Sequence, residues 1–228
     1  MELIQKIGHR GAKGHLAENT LESIAKALEF GVDSVEIDVH RCLSGELVVI
    51  HDFTLDRTTN GSGDVDQKSL SELKSFLVEE KYRIPLLTEV LDLIVGKCKI
   101  NIELKGSNTA TATCEIIKAS VDNGNWKYSD VIVSSFQQKE LLRVFEINPE
   151  VPIGILSKAS ISEAIELGIK LKAKAIHPSI GIISRSKVLE CQEKGFDVNV
   201  WTVNEHKAIS RMKKFGVTGI ISDYPDWL

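Results

Sequence analysis

Two histidines and three acidic residues stand at the ends of apolar, strand-like runs in this chain. The histidines are His9 and His51, and the acids are Glu36, Asp38 and Glu103. An imidazole group both accepts and donates protons near neutral pH, and clustered carboxylates bind hard divalent cations such as Mg²⁺ or Ca²⁺. Together these residue types predict metal-assisted acid/base chemistry on a phosphate ester.

The acids alternate with aliphatic residues, which predicts that they share strand faces. Glu36 and Asp38 fall on one face of a strand, and Asn101, Glu103 and Lys105 fall on one face of another. The aliphatic faces must pack against helices, so we expect the polar faces to point into a barrel. Carboxylates gathered there lose hydration and repel one another, at a cost on the order of several kcal/mol per ion unless a cation or proton compensates. Either motif alone suits a water-facing or ion-paired strand, but the two together predict a cation site.

The elements that must position these residues are short β-branched runs that alternate with helix-sized segments. Eight strand-plus-helix units in succession predict an eight-stranded parallel β/α (TIM) barrel. An open doubly wound sheet is disfavoured because no Gly-rich phosphate loop follows the first strand. Barrels of this length commonly form one unit, so a single domain over residues 1–228 is predicted. The strands are predicted at about 3–8, 34–40, 98–104, 130–134, 152–156, 173–177, 197–203 and 217–221.

One further apolar run, at 46–51, follows the second strand too closely for a crossover helix. A two-residue Ser-Gly turn between the two runs predicts a β-hairpin, so this extra strand should be antiparallel to its predecessor. If Leu43 pairs with Glu46, the register places His51 opposite Asp38 on one face of the hairpin.

Turn and cap residues set other boundaries. The Thr-, Gly- and Ser-rich stretch at about 53–85 predicts a small insertion over the barrel mouth. Residues 19–22 resemble a capping box, and Gly31 follows the helix that this box would begin. Gly195 and Gly216 indicate the ends of two later helices.

Charge and hydropathy exclude several kinds of partner. The net charge is −4 and no Lys/Arg-rich run occurs, which argues against nucleic acid or an anionic membrane as the main partner. A small anionic substrate remains compatible with this charge. No apolar stretch approaches the roughly 18 residues of a membrane helix, so no membrane anchor is expected. A homodimer is left open.

The cysteines and the amino-terminal sequence indicate the cellular compartment in which the protein is expected. The four cysteines show no paired metal-ligand spacing, and reduced thiols in a core are expected. The first strand begins so early that removing a secretion signal would also remove His9. We therefore expect a cytoplasmic protein. The cysteines are Cys42, Cys98, Cys114 and Cys191.

A series of short motifs runs in order over nearly the whole chain. They are His9-Arg10-Gly11, Glu18-Asn19-Thr20, Glu36-Ile37-Asp38, His51-Asp52, Leu55-Asp56-Arg57-Thr58-Thr59, Glu103-Leu104-Lys105, Trp201-Thr202-Val203-Asn204 and Ser222-Asp223-Tyr224-Pro225. This series resembles the glycerophosphodiester phosphodiesterases. The resemblance implies a β/α barrel with a small insertion after the His-Asp motif. It also implies one divalent cation and the hydrolysis of glycerophosphodiesters, small-molecule substrates, to glycerol 3-phosphate and an alcohol.

The resemblance also implies roles for individual side chains. Three acids would bind the metal, two histidines would form the acid/base pair, and two cations would hold the phosphate. The metal ligands implied are Glu36, Asp38 and Glu103, the acid/base pair is His9 and His51, and the phosphate-binding residues are Arg10 and Lys105.

Three more residues are candidates for the substrate pocket. Trp201 ends the seventh predicted barrel strand and Phe136 follows the fourth, so each forms either barrel packing or a wall for the glycerol and alcohol groups. Glu18 either reaches the site or belongs only to the segment that caps the first helix.

These roles suggest a mechanism with two proton transfers. His9 is expected to take a proton from the nucleophile and His51 to protonate the departing alkoxide, although the roles are exchangeable. The nucleophile is water or, as in related phospholipase C barrels, the neighbouring glycerol hydroxyl of the substrate. Two other functions remain open at this point: a lysolipid-directed phospholipase D or C, and a noncatalytic barrel that only binds phosphate.

Overall fold

Eight parallel strands form a closed ring in the computed structural model, which describes residues 4–228. In chain order the strands are β1 (Gln5–His9), β2 (Ser34–Arg41), β3 (Leu47–Val49), β4 (Leu77–Val78), β5 (Tyr82–Arg83), β6 (Lys99–Leu104), β7 (Val131–Ser135), β8 (Ile153–Ser157), β9 (Ala175–Pro178), β10 (Asp197–Val200) and β11 (Gly219–Ser222). The ring runs β1, β2, β6, β7, β8, β9, β10, β11 and back to β1. The predicted parallel barrel is confirmed, and residue 3 of its first predicted strand lies outside the described residues.

Helices cover the outside of the ring. They are α1 (Leu21–Glu29), α2 (Leu70–Ser75), α3 (Leu87–Ile94), α4 (Ala110–Asp122), α5 (Gln138–Ile147), α6 (Ile161–Leu171), α7 (Arg185–Glu193) and α8 (His206–Phe215). All of these except α2 connect successive ring strands. The eighth ring strand is followed by a single 3₁₀ turn, Pro225–Trp227, where the sequence predicted a strand-plus-helix unit. Within residues 4–228, no helix has both the length and the apolar character needed to cross a bilayer.

Strand β2 is buried on both faces, as expected for a parallel sheet covered by helices. Its aliphatic side chains, Val35, Ile37 and Val39, are fully buried in the main core. The acids between them, Glu36 and Asp38, point to the other face and are also buried. The barrel interior therefore holds two carboxylates from this strand alone.

The hairpin between β2 and β3 is antiparallel, as predicted, but its register is one residue away from the prediction. Val39 pairs with Val49, so Asp38 lies opposite Ile50 and the predicted pairing of Asp38 with His51 is wrong. The turn explains the difference. The backbone N–H of Cys42 donates to the carbonyl of Glu46, which makes the loop three residues long rather than two.

The stretch 53–85 forms an insertion with a small core of its own. It contains α2 and the β4–β5 hairpin, and its apolar side chains pack against the β2–β3 hairpin. An insertion that buries its own apolar residues can hold a polar side chain over the barrel mouth in a fixed place. The residues of this second core are Ala17, Cys42, Val48, Ile50, Leu55, Val65, Leu73, Val78, Tyr82 and Ile84.

The start of α1 also differs from the prediction. Thr20 is the N-cap, and its side chain accepts a hydrogen bond from the backbone N–H of Ser23 at 3.1 Å. The predicted capping box of Asn19 and Glu22 is therefore wrong, since the side chain of Asn19 bonds elsewhere. Gly31 follows the end of the helix at φ 68°, which suits glycine.

The four cysteines are free thiols, three of them buried. Burial raises the pKa values of Cys98, Cys114 and Cys191 to about 11. These thiols therefore behave as small apolar groups, which agrees with the prediction that they are reduced.

Candidate active site

The carboxyl ends of the ring strands bring most of the predicted site residues into one cavity, although Asp38 and Glu18 are not among the residues that line it. His9 pairs with Glu36 across β1 and β2, and Asp38 pairs with Glu103 across β2 and β6. His51 reaches the same cavity from the segment after β3. The residues lining it are His9, Arg10, Glu36, His51, Asn101, Glu103, Lys105, Phe136, Leu156, Trp201, Thr202 and Ile221.

Glu36, Asp38 and Glu103 form a compact carboxylate cluster. One oxygen from each lies within 4.8 Å of the others, and all three side chains are buried. One Asp38 oxygen, Oδ1, is buried and has no hydrogen-bond partner within residues 4–228. Oxygen atoms gathered in this way are the donor set that Mg²⁺ and Ca²⁺ prefer. The cluster therefore fits a hard divalent cation.

Two side-chain cations offset part of the negative charge. The Nζ of Lys105 donates to Glu103 at 3.0 Å and lies 3.9 Å from Asp38 Oδ1. The Nε of Arg10 lies 3.3 Å from the other oxygen of Asp38. Three buried carboxylates thus face two cations, which leaves one negative charge uncompensated.

Burial governs the protonation of this cluster. Burial, followed by the charges of Asp38 and Glu103, raises the pKa of Glu36 well above its usual value. Burial and the charge of Asp38 raise the pKa of Glu103 to about 7. Without a bound cation, the cluster therefore keeps a proton near neutral pH.

Backbone geometry and an amide hold two of the acids in place. Arg10 has a φ of 51°, and its backbone N–H donates to Glu36 at 3.0 Å. The side-chain amide of Asn19 donates to Asp38 at 2.9 Å, and its oxygen accepts from the Asp38 backbone N–H at 3.3 Å. The side chain of Asn19 thus hydrogen-bonds the acid cluster and does not cap α1.

His9 is oriented from the last ring strand. Its Nδ1 lies 2.5 Å from Oδ1 of Asp223, while its Nε2 faces Glu36 at 4.0 Å. Asn204 fixes Asp223, because its side-chain amide donates to one carboxylate oxygen at 2.8 Å and its own oxygen accepts from the Asp223 backbone N–H. His9 therefore presents Nε2 to the cavity.

His51 has a carboxylate partner too, from the adjacent residue. Its Nδ1 lies 2.5 Å from Oδ1 of Asp52. The guanidinium of Arg57 donates to both oxygens of Asp52. The two histidines thus share one arrangement, with a carboxylate at Nδ1, but the surroundings of the carboxylates differ.

The pKa values of the two histidines are both lowered. Burial lowers the pKa of His9 more than the hydrogen bond to Asp223 raises it. Burial also lowers the pKa of His51, although the charge of Asp38 opposes it. At both imidazoles desolvation outweighs the neighbouring carboxylates.

Glu18 joins two arginines at the edge of the cavity. It accepts from Nη1 of Arg10 at 2.7 Å and from Nη2 of Arg57 at 2.7 Å. Burial would raise the pKa of Glu18, but the bonds from Arg57 and Arg10 outweigh it and lower the pKa to about 2. Glu18 is thus charged and reaches the site by way of Arg10.

Two aromatic side chains form one wall of the cavity. Phe136 and Trp201 meet edge to face with ring centroids 5.5 Å apart, and the Trp201 indole N–H donates to the carbonyl of His177. Phe136 is 41% exposed, which leaves its ring open to a ligand. His177 itself is fully buried, and its Nε2 accepts from Asn199.

The sequence does not predict the contacts of several residues that hold the site together. Asp52 and Asp223 were motif members only, and Asn19 was assigned to a helix cap. Arg57 and Asn204 also lie in quoted motifs, so the motifs themselves were the available signal.

Comparison with known proteins gives a consistent result. A model of the Glycerophosphoryl diester phosphodiesterase family matches residues 9–227. The glycerophosphodiester phosphodiesterase of Caldanaerobacter subterraneus subsp. tengcongensis is 37% identical over 232 aligned residues, which cover 97% of this chain and 95% of that relative.

Solved structures agree with this match. A phosphodiesterase from Oleispira antarctica, in complex with its product sn-glycerol 3-phosphate, has a TM-score of 0.88 and 30% identity over 98% of this chain and 94% of its own. A glycerophosphodiester phosphodiesterase from Thermotoga maritima has a TM-score of 0.84 and 28% identity, covering 99% of this chain and 97% of its own.

Proposed function

Because this chain belongs to the glycerophosphoryl diester phosphodiesterase family, we propose that it hydrolyses glycerophosphodiesters to glycerol 3-phosphate and an alcohol. One observation carries this proposal: His9 and His51 line the same cavity as two buried acids, Glu36 and Glu103, and two cations, Arg10 and Lys105. Proton donors and acceptors, cations and a potential metal site are the groups that hydrolysis of a phosphate diester requires.

We propose that Glu36, Asp38 and Glu103 hold one divalent cation, Mg²⁺ or Ca²⁺. The support is their burial, their mutual approach within 4.8 Å and the absence of a hydrogen-bond partner for Asp38 Oδ1 within residues 4–228. When bound, the cation would supply positive charge next to the phosphate and so stabilise charge that develops in the transition state.

Arg10 and Lys105 are the proposed phosphate-binding residues. Both line the cavity, and both already neighbour the carboxylate cluster. A phosphodiester carries one negative charge, and its transition state develops another. Cations placed here therefore stabilise the additional charge of the transition state and not only the charge of the bound substrate. Glu18 fixes the guanidinium of Arg10 through a 2.7 Å hydrogen bond.

The surroundings of the two histidines favour different roles. Asp223 bonds the neutral amide of an asparagine, so its charge remains available to a protonated His9. Asp52 is paired with Arg57, which offsets the charge beside His51. The carboxylate beside His9 is thus less neutralised than the one beside His51, which favours His9 as the base and His51 as the acid.

In the proposed reaction, His9 takes the proton of an attacking hydroxyl, whose oxygen forms a new bond to phosphorus. The bond from phosphorus to the leaving oxygen breaks, and His51 gives that oxygen its proton. The attacking hydroxyl is proposed to be the neighbouring hydroxyl of the substrate glycerol, because internal attack gains from proximity. Water then opens the resulting cyclic phosphate: its oxygen bonds to phosphorus, the bond from phosphorus to the ring oxygen breaks, His51 takes the proton of the water, and His9 returns its proton to the freed glycerol hydroxyl. A substrate with hydrogen in place of that hydroxyl tests this step, and full turnover of it would exclude internal attack.

The aromatic wall of Phe136 and Trp201 is the proposed contact surface for the glycerol or alcohol groups. Its support is the edge-to-face pair at the mouth of the cavity and the exposed ring of Phe136. Aromatic faces of this kind pack against the apolar sides of polyols and small alcohols.

An enzyme-coupled assay for glycerol 3-phosphate tests the proposed function. The substrates are glycerophosphocholine, glycerophosphoethanolamine and glycerophosphoglycerol, each with and without a chelator. We expect release that the chelator abolishes and that added Mg²⁺ or Ca²⁺ restores. Faster turnover of lysophospholipids would favour the lysolipid-directed alternative, and no turnover with retained phosphate binding would favour a noncatalytic barrel.

A further inference from the structure

One guanidinium, that of Arg57, joins two carboxylates that serve different parts of the site. Its Nε and Nη2 donate to the two oxygens of Asp52, the second at 3.0 Å. Its Nη2 also donates to Glu18 Oε1 at 2.7 Å, and its Nη1 donates to Glu18 Oε2 at 3.2 Å. Arg57 thus makes a two-bond contact with each carboxylate.

Each of these carboxylates orients one functional side chain. Asp52 bonds Nδ1 of His51 at 2.5 Å, and Glu18 bonds Nη1 of Arg10 at 2.7 Å. Arg10 in turn approaches Asp38 at 3.3 Å. Arg57 itself does not line the cavity, so its influence runs through its two partners.

Arg57 is partly exposed, and a single exposed ion pair contributes little to stability. The ion pairs of Arg57 are stronger than an exposed pair because its partners are less exposed than Arg57 itself. The side chain of Glu18 is only 9% exposed and that of Asp52 only 23%. Bidentate geometry within a network of several charges is the case in which such pairs are effective. A lysine ammonium could not make the same two-bond contact with both carboxylates.

The insertion places Arg57 at this position. Leu55 is fully buried in the second core, and the backbone N–H of Thr59 donates to the carbonyl of Leu55 at 3.0 Å. Arg57 lies in the turn between them. A buried anchor two residues away fixes where the guanidinium can reach.

We propose that Arg57 is a positioning residue that aligns His51 and Arg10 together, from outside the cavity. The inference rests on the proposed function, in which these two side chains act on the substrate phosphate. It assigns the insertion a specific task, which is to supply one guanidinium that sets the geometry of two separate groups.

The first test is the kinetics of Arg57→Ala and Arg57→Lys on glycerophosphocholine. We expect Arg57→Ala to lower kcat by about 100-fold, since a small misplacement of a catalytic group has an effect of that size. KM should rise as well, because Arg10 loses its fixed orientation. Arg57→Lys keeps the positive charge but cannot make a two-bond contact with each carboxylate. Its kcat should therefore fall nearly as far as that of Arg57→Ala.

Guanidinium ion provides a rescue that a merely structural role would not show. Added well below the concentrations that unfold proteins, it should restore a large part of kcat in Arg57→Ala and have no such effect on the parent enzyme. The matched control is Arg143→Ala, which removes a surface arginine paired with Glu146 on α5. This control should change neither kcat nor KM.

A spectroscopic measurement separates this inference from the proposed function. Long-range ¹H–¹⁵N spectra of the imidazole rings, assigned with His51→Gln, should show a changed Nδ1 resonance for His51 in Arg57→Ala and its return with guanidinium. Unchanged His51 resonances, or a kcat equal to that of the parent enzyme, would overturn the proposal. A parent enzyme that hydrolyses no glycerophosphodiester would instead overturn the proposed function, and the spectra would still test the alignment.

Discussion

The imidazole of His9 and the carboxylate of Asp223 meet at 2.5 Å although 214 positions separate them in the chain. The contact exists because β1 and β11 are neighbours in the ring, with Gly8 paired to Ser222. The closure of the barrel thus places a partner beside the first histidine.

The first prediction concerns this pair. Asp223→Asn removes the charge that stabilises a protonated His9, and we expect kcat to fall by about 100-fold. Steady-state kinetics with saturating cation measure the effect. Asp226→Asn is the control, because Asp226 also bonds a histidine, His15, but outside the cavity. An equal decrease of kcat in the two variants would show that both substitutions act only by destabilising the C-terminal segment.

The second prediction concerns pH and the cation. The pKa of Glu103 is raised from 4.5 to about 7, so between these values the folded state holds more protons than the unfolded state. The contribution of Glu103 to the free energy of unfolding of the cation-free protein should therefore decrease as pH rises from about 4.5 to about 7, whereas the lowered pKa values of His9 and His51 contribute an increase. Urea unfolding with a chelator at several pH values measures this. Saturating Mg²⁺ or Ca²⁺ should remove the decrease, because the bound carboxylates are anionic.

A matched variant tests the cause of that pH dependence. Glu103→Gln removes one titrating group, so the cation-free stability of the parent protein relative to this variant should decrease as pH rises from about 4.5 to about 7. Glu36, whose pKa is also raised, still titrates in this variant. A difference in stability between the two proteins that does not vary with pH would contradict the assignment of this effect to Glu103.

The third prediction separates two adjacent residues that the sequence treated as one motif. Asn19→Gly keeps a residue suited to φ 59° and removes the amide that holds Asp38, so cation affinity should fall about 10-fold. Thr20→Ala removes the helix cap and should lower the free energy of unfolding by about 1 kcal/mol without changing cation affinity. Calorimetric titration and urea unfolding measure the two quantities. The opposite pattern would place the capping role back on Asn19.

The fourth prediction concerns the aromatic wall. Phe136→Ala should raise KM about tenfold, equivalent to about 1.4 kcal/mol of binding, and leave kcat nearly unchanged. Phe53→Ala is the control, since Phe53 is also an exposed phenylalanine but packs on His40 instead of lining the cavity. An unaltered KM in Phe136→Ala would remove this residue from the substrate pocket.

The strands and the acid cluster could be predicted because their signals are local. Alternation over a few residues puts Glu36 and Asp38 on one face, and the parallel register then brings Glu103 beside Asp38. Apolar runs separated by helix-sized segments leave few topologies besides a barrel.

The hairpin and the first helix show where local signals fail. Ser44 and Gly45 suit a two-residue turn, yet Cys42 bonds Glu46 around a three-residue loop and shifts the register by one. Asn19 has the chemistry of a helix cap, but a buried carboxylate nearby is a stronger partner for its amide. In each case a competing interaction decided the outcome.

The partners of the two histidines could not be derived from spacing. Asp223 reaches His9 only through closure of the ring, and Arg57 reaches Glu18 only because the insertion folds over the mouth. Contacts of this kind depend on the finished tertiary structure. Sequence alone could mark the motifs that contain these residues without stating what they touch.

The pairing of the first and last ring strands has a consequence for the timing of synthesis. A ribosome delivers β1 long before β11, and parallel pairs this far apart in sequence form late in folding. Until the final strand has emerged, the nascent chain has an open edge on β1. Catalytic competence should therefore arise only after β11 has been synthesised, so chains truncated before β11 should be inactive.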